Sequence, residues 1–186
     1  MRYLAALGLA FGLSGVSVAD TAFTLQSPDI TEGKAMSKQL EFQGFGCDGG
    51  NQSPALQWSG VPKGTKSFAL TVYDPDAPTG SGWWHWVVFN IPADATSLPA
   101  NIGADGKGLP AGAVQSLTDY GKAGFGGACP PQGDKPHHYH FTLHALKTDK
   151  LDLKPDTMPA MVGYMLHENG LGKATITATY QRAAHQ

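Results

Sequence analysis

The sequence is poor in charge. It has 13 basic and 15 acidic residues, which together are 15% of its 186 positions, against about 25% in an average soluble domain. The formal net charge is −2, so the chain lacks the cationic field that holds a nucleic-acid backbone. Its 24 glycines and 13 prolines are too few for a disordered chain. The composition therefore predicts one globular domain and excludes a histone-like nucleic-acid binder.

Long apolar runs are missing after the N-terminus. Met1-Arg2 makes a short basic start, residues 3–18 carry no charge, and 16–19 place small residues where a signal peptidase cleaves. This pattern predicts a signal peptide over 1–19 and a periplasmic or secreted domain over 20–186, with no integral membrane segment after cleavage. A membrane anchor is the alternative, but the run is shorter than the roughly 20 residues that a spanning helix needs.

Cysteine is scarce, with only Cys47 and Cys129 in the whole chain. A disulfide-dense small domain is therefore excluded. An even count in an oxidising compartment favours one disulfide between the two. Two buried, unpaired thiols are the alternative, because spacing alone does not show that the two Cα atoms approach each other.

Apolar alternation has a period of two almost everywhere, which is typical of strands. Strong strands are predicted over 67–73, 84–91, 138–146 and 173–180, and weaker ones over 22–26, 39–42, 56–58 and 113–117. One helix is predicted near 158–167, with Thr157 as its cap and Asn169-Gly170 at its end. The pattern predicts a mainly β fold, an antiparallel β-sandwich with one or two short helices.

The segment Asp74-Pro75-Asp76-Ala77-Pro78 follows a strong strand. Its prolines remove hydrogen-bond donors and fix φ, so the strand must stop and the loop must be stiff. Two carboxylates two residues apart then project into one concavity. Simple turn chemistry is the alternative, because Asp before Pro is common in turns.

The next segment is Trp83-Trp84-His85-Trp86, at the start of a strand. Strict alternation places Trp84 and Trp86 on one face and His85 on the other. A histidine among tryptophans is desolvated, and its pKa then depends on nearby carboxylates. A hydrogen-bonded core histidine with no function is the alternative.

A third segment runs from Gly126-Gly127 through Cys129-Pro130-Pro131 to His137-His138-Tyr139-His140. The glycines allow close backbone approach and can aim N–H groups at an anion. Alternation makes His137 and Tyr139 inward-facing pocket residues. The spacing of His138 and His140 is compatible with a metal site, but no third ligand follows, so an exposed polar face is the stronger interpretation.

In this order and spacing the three segments resemble the phosphatidylethanolamine-binding protein family, also called Raf kinase inhibitor-like proteins. The stretch from Cys47 to Gly60 further resembles the bacterial branch. The resemblance implies a sandwich of one large and one smaller sheet, with a pocket for phosphate, acetate or a phospholipid headgroup. It implies these ligand-binding positions: Asp74, Asp76, Pro78, Trp83, His85, Gly127, Cys129, Pro130, His137 and Tyr139. It also implies a homodimer. Cys129 stands where animal members carry glycine, which supports a tether to Cys47.

Because no serine-nucleophile, phosphate-transfer, zinc-hydrolase or dinucleotide motif occurs, we expect an exported, non-enzymatic protein that binds a small anion without a cofactor or metal. We expect Asp74 and Asp76 to orient histidines and loop amides, and His137, Tyr139 and loop N–H groups to contact the anion. An acid–base or metal-dependent hydrolase is one alternative. A protein-interaction module with a vestigial pocket and an unknown protein target is the other.

Overall fold

The structure, a computed structural model, describes residues 22–184. In that part of the chain it contains ten strands, one α helix and a 3-10 turn. The elements are β1 (Thr24–Gln26), the 3-10 turn (Lys38–Leu40), β2 (Gln43–Gly44), β3 (Cys47–Asp48), β4 (Leu56–Ser59), β5 (Ser67–Asp74), β6 (Trp83–Pro92), β7 (Ser97–Leu98), β8 (Val114–Gln115), β9 (His137–Leu146), α1 (Pro159–Asn169) and β10 (Gly170–Tyr180). The predicted signal peptide lies outside the described residues.

Two antiparallel sheets form the sandwich. The larger has the order β10-β9-β5-β6-β8 and the smaller β1-β4-β7, while β2 and β3 form a separate hairpin. Side chains such as Leu56, Trp58, Val72 and Phe141 fill the space between the sheets. The predicted mainly β sandwich is confirmed. Across residues 22–184, no helix is both long and apolar enough to cross a membrane.

The central strands β5 and β6 are buried on both faces. A second apolar cluster covers the outer face of the large sheet, where Val87 and Phe89 pack against Val162 and Leu166 of α1. The near-continuous apolar runs of β5 and β6 reflect this double burial. The predicted bounds of the four strong strands agree with β5, β6, β9 and β10 to within a few residues.

A β-bulge at His85 corrects the predicted faces of β6. Tyr73 pairs with Trp84 and Val72 pairs with Trp86, so His85 is the extra residue of the longer strand. As a result Trp86 points into the space between the sheets while Trp84 packs on the helix side. The prediction that both tryptophans share one face is wrong, because alternation restarts after a bulge.

Two smaller predictions are also wrong. Residues 39–42 are not a strand: their first part is the 3-10 turn, and the segment makes only an isolated bridge from Glu41 to Ala128. The residue that precedes α1 is Met158, and the Thr157 hydroxyl accepts a hydrogen bond from Lys154 N instead of capping the helix. The helix ends at Asn169, as predicted, and Gly170 continues directly into β10.

Candidate functional site

A small cavity lies where β5 ends and where β6 and β9 begin. Its volume is about 180 Å³, which is below the range of about 300–1,000 Å³ that is usual for drug-sized ligands. The residues that line it are Phe45, Asp74, Ala77, Pro78, Thr79, Trp83, His85, Tyr120, Cys129, Pro130, Pro131, His137 and Tyr139. All three sequence segments thus meet at one concavity.

A wider groove of about 730 Å³ crosses the outer face of the large sheet beneath α1. Its polar side chains are paired with one another across the strands. Thr71 Oγ1 lies 3.2 Å from His144 Nε2, and Thr142 Oγ1 lies 3.0 Å from Thr175 Oγ1. The smaller cavity is the better candidate site, because its buried polar atoms lack such partners.

Asp74 and His137 form a buried pair in the cavity wall. His137 Nδ1 lies 2.8 Å from Asp74 Oδ2, and its Nε2 lies 3.5 Å from Asp134 Oδ2. The other Asp74 oxygen, Oδ1, accepts the backbone N–H of Asp76 at 2.8 Å. These two hydrogen bonds offset the negative charge of Asp74 and fix the orientation of the His137 ring.

Asp76 is turned away from the cavity. Its Oδ2 accepts the backbone N–H of His138 at 2.8 Å and lies 2.7 Å from Nδ1 of the same residue. The hydrogen bonds from His138 lower the pKa of Asp76 below its usual range. Because residue 138 faces the outer side of β9, its partner Asp76 is drawn out of the pocket.

His85 is anchored to the backbone of the loop that closes the cavity. Its Nδ1 lies 2.8 Å from the Gly126 carbonyl oxygen and 3.1 Å from that of Gly127. Only 3% of the residue is exposed, and this burial lowers the pKa of His85. The ring is therefore neutral near pH 7, which differs from the charged imidazolium that an anion would attract.

Three buried polar atoms in the cavity wall have no hydrogen-bond partner among the described residues. They are Trp83 Nε1, His85 Nε2 and the Tyr139 hydroxyl. Burial, and then the nearby Asp74 carboxylate, raise the pKa of Tyr139 far above its usual value, so its hydroxyl stays protonated. Leaving such groups unpaired costs about 1–3 kcal/mol each, so their convergence on one cavity indicates a ligand site.

A disulfide joins the rim of the cavity to the β2–β3 hairpin. Cys47 and Cys129 are bonded across 82 residues of sequence, with 6.0 Å between their Cα atoms. The predicted disulfide is thus present in the structure. Beside it, Arg182 donates hydrogen bonds from Nε to the Pro130 carbonyl and from Nη1 to the Gly46 carbonyl. The wall around Cys129 is consequently held both covalently and by an arginine.

Comparison with known proteins identifies the family. Residues 26–181 match the family described as phosphatidylethanolamine-binding protein. The chain belongs to the phosphatidylethanolamine-binding protein family. The resemblance that the sequence segments carry is therefore confirmed.

Bacterial members of this family are similar over most of the chain. The protein YbcL of Escherichia coli is 58% identical over 89% of this chain and 91% of its own length. YbhB of the same organism is 49% identical over 84% of this chain and 98% of its own length. The crystal structure of E. coli YbcL superposes with a TM-score of 0.85 over 88% of this chain and 99% of that one. A Plasmodium vivax family member, at 14% identity and a TM-score of 0.56 over 89% of this chain and 88% of its own, shares the fold alone.

Eight of the ten positions that the family resemblance implies lie around the cavity, and two do not. Asp76 points outward, and Gly127 sits behind the wall. A Cβ on Gly127 would lie 2.2 Å from the Leu40 carbonyl oxygen, so this position needs glycine for close packing. Its carbonyl also accepts a hydrogen bond from the Tyr120 hydroxyl at 2.8 Å.

The glycine-loop amides do not face an anion, contrary to the expectation from the sequence. Gly126 N–H donates to the His85 carbonyl, Gly127 N–H donates to Asn51 Oδ1, and Ala128 N–H donates to the Leu40 carbonyl. The loop uses these donors to fasten itself to neighbouring segments. These three amides are therefore not available to bind an anion.

Tyr120 and Phe45 are wall residues that the sequence analysis did not single out. The Tyr120 ring stacks on Phe42 at 4.2 Å between centroids and meets Trp83 edge-on at 5.4 Å. Phe45, 73% exposed, stands at the mouth of the cavity. Both belong to irregular segments, where side-chain direction has no periodicity, so no sequence signal marked them.

His138 and His140 bind different partners and do not converge on one point. His138 pairs with Asp76, and His140 Nδ1 lies 2.9 Å from Thr177 Oγ1. Over residues 22–184, no group of three or more histidine, cysteine, aspartate or glutamate side chains is arranged to hold a metal ion.

Proposed function

We propose that this protein is a non-enzymatic binding protein whose cavity holds a small anion of phosphate size. The observation that carries the proposal is that Trp83 Nε1, His85 Nε2 and the Tyr139 hydroxyl all lie in the cavity wall, buried and without hydrogen-bond partners within residues 22–184. The oxygen atoms of an oxyanion would accept hydrogen bonds from two of these groups, Trp83 Nε1 and the Tyr139 hydroxyl. The cavity volume of about 180 Å³ suits a compact ligand.

The charge of Asp74 opposes anion binding, so the proposal depends on how that charge is offset. Two donors bind its two oxygens, His137 Nδ1 and the Asp76 amide. Trp83 carries a donor and no acceptor, and Tyr139 retains its hydroxyl proton, so each has a hydrogen to donate to a ligand. Hydrogen bonds to charged groups are worth about 1.5–3 kcal/mol each, so these two donors can outweigh the repulsion from the hydrogen-bonded Asp74 carboxylate.

Binding without turnover is the second part of the proposal. A hydrolase that works through a covalent intermediate needs an activated side-chain nucleophile beside its histidine. In the cavity wall, the Thr79 hydroxyl already donates to the Gly82 carbonyl, and the Cys129 sulfur is held in the disulfide. We expect no release of nitrophenol from p-nitrophenyl phosphate, with or without zinc. Turnover that disappears in Asp74→Ala would favour a hydrolase.

Calorimetric titration of inorganic phosphate into the protein tests the binding proposal. Tyr139→Phe removes one donor at nearly constant volume and should weaken phosphate binding about ten- to hundredfold, given the worth of a hydrogen bond to a charged group. Tyr164→Phe is the matched control, because Tyr164 is 59% exposed on α1 and does not line the cavity. Absence of phosphate binding to the wild type would reject the anion pocket and favour an interaction module.

We also propose that the protein is exported, which the uncharged N-terminal run and its small residues before Ala19 support. An oxidising compartment accords with the Cys47–Cys129 disulfide. N-terminal sequencing of the protein recovered from a periplasmic extract should begin at Asp20. Homodimer formation stays a prediction, which sedimentation equilibrium would test.

A further inference from the structure

The hydrogen on the His85 ring is fixed by the loop that the ring contacts. Nδ1 lies within hydrogen-bond distance of two carbonyl oxygens, those of Gly126 and Gly127. Carbonyl oxygens only accept hydrogen bonds, so Nδ1 must carry a hydrogen. In the neutral ring the other nitrogen, Nε2, therefore bears a lone pair and no hydrogen.

The surroundings of His85 keep the ring neutral. The aromatic rings of Tyr120 and Tyr139 meet it edge-on, at 5.6 and 5.1 Å between centroids. Asp74 and Asp119 are the carboxylates whose charges favour the imidazolium, but neither hydrogen-bonds to the ring, and burial outweighs them and lowers the pKa of His85. Near neutral pH the cavity thus presents a hydrogen-bond acceptor at this point.

The other two unpartnered groups are donors. Trp83 Nε1 only donates, and the Tyr139 hydroxyl has a hydrogen to give. A ligand that satisfies all three must offer oxygen acceptors to Trp83 and Tyr139 and a hydrogen to His85. An oxyanion without any hydrogen would bring its negative oxygens against the His85 lone pair.

We propose that the cavity selects an oxyanion that keeps an O–H group, such as hydrogen phosphate, and rejects one of the same shape that has none, such as sulfate. His85 is the residue that determines this specificity, through its Nε2 acceptor. The inference rests on the proposed function, since it concerns the same cavity. Inorganic phosphate and a singly protonated phosphate monoester share the required chemistry.

Such selection can be strong, because a wrong ligand leaves a buried polar group unpaired. Sites built to hydrogen-bond one particular group reject analogues that lack it by factors of up to about 10⁴–10⁵. This cavity opens to solvent, so we expect a smaller factor, with hydrogen phosphate binding at least tenfold more tightly than sulfate.

The first experiment compares phosphate and sulfate by calorimetry on the wild-type protein at pH 7.5. Phosphate binding with sulfate at least tenfold weaker supports the inference. Equal binding of both anions would agree with the proposed anion-binding function but would overturn the inference, because it would mean that Nε2 does not act as an acceptor toward the ligand. Failure of both anions to bind would instead reject the proposed function.

Methyl phosphate tests the effect of the ligand O–H group at constant ligand shape, because the same molecule has an O–H at low pH and none at high pH. A phosphate monoester loses its last O–H with a pKa of about 6. Methyl phosphate should therefore bind at pH 5.5 and bind at least fivefold more weakly at pH 8, whereas inorganic phosphate, which keeps a proton at both, should change less. Stronger binding of methyl phosphate at pH 8 would contradict the inference.

His85→Asn tests the residue directly. Its amide nitrogen replaces Nδ1 near the two carbonyl groups, while nothing replaces Nε2. We expect this variant to bind phosphate more weakly, to bind sulfate no more weakly than the wild type does, and so to lose most of the discrimination between the two anions. If the variant does not fold, long-range ¹H–¹⁵N spectra of the wild type decide instead: a hydrogen on His85 Nε2 at pH 7.5 would overturn the inference, and a bare Nε2 would support it.

Discussion

The Asp74 carboxylate accepts a hydrogen bond from His137 Nδ1 at 2.8 Å, and each side chain exposes only 3% of its surface. The pair joins the end of β5 to the start of β9, across 63 positions of sequence. Both residues lie in the cavity wall. Their bond therefore fixes the position of one side of the candidate site.

Removing this bond should destabilise the protein strongly. Asp74→Ala leaves the buried His137 ring without its acceptor, and we expect the free energy of unfolding to fall by up to about 3 kcal/mol. Asp76→Ala is the matched control in the same loop. Its partner His138 is half exposed, so the loss should stay near 1 kcal/mol. Urea denaturation of both variants gives the comparison, and equal losses would contradict the prediction.

Acid should destabilise the fold in part through His144. Burial, and to a smaller extent Lys173, lower the pKa of His144 to about 4, against about 6.5 in an unfolded chain. Between these values the unfolded chain binds the proton and the folded one does not, so stability present above pH 6.5 is lost as the pH falls toward 4. The contribution is at most about 3 kcal/mol.

His144→Gln tests the assignment, because glutamine keeps a polar partner for Thr71 but does not titrate. The free energy of unfolding should fall less between pH 7 and pH 4 in this variant than in the wild type. His85, whose pKa is also lowered, remains in both proteins and cancels from the difference. Parallel pH profiles for the two proteins would show that His144 does not contribute.

Loss of the disulfide should lower the free energy of unfolding by several kcal/mol. Cys47 and Cys129 close a loop of 82 positions, for which the chain-entropy account gives about 4–5 kcal/mol. We expect this fall in the free energy of unfolding for the doubly substituted Cys47→Ser, Cys129→Ser protein, measured by urea denaturation. Wild-type protein treated with a dithiol reductant is the control, and it should match the variant. A change below about 1 kcal/mol would contradict the prediction.

Tyr180 should stabilise the fold through Glu41. The Tyr180 hydroxyl donates to Glu41 Oε2, while Oε1 of the same carboxylate accepts the Asp48 backbone N–H. Glu41 is only 4% exposed, so Tyr180→Phe leaves a buried oxygen unpaired and should cost about 1–3 kcal/mol. The exposed Tyr164→Phe should cost almost nothing. Thermal unfolding of both variants checks the difference.

Alternation and turn chemistry determined much of the fold from the sequence. The strands β9 and β10 were predictable because one face of each is apolar and period two holds along them, and β5 was predictable from its short apolar run. The inward direction of His137 and Tyr139 followed from the same rule, since Phe141 and Leu143 share their face. The bulge at His85 was not predictable, because an extra residue changes the register without leaving a pattern in the composition.

The sequence by itself determined which residue types meet at the cavity and to which family the chain belongs, since both are carried by short segments in a fixed order. Only the tertiary structure decided which atoms remain free for a ligand. Asp74 faces the cavity because its partner His137 points inward from β9, and Asp76 does not because its partner His138 points to the outer side of the same strand. The glycine-loop amides are occupied and His85 Nε2 is left unpaired for the same reason: hydrogen-bond partners are assigned by contacts in space, which local sequence does not encode.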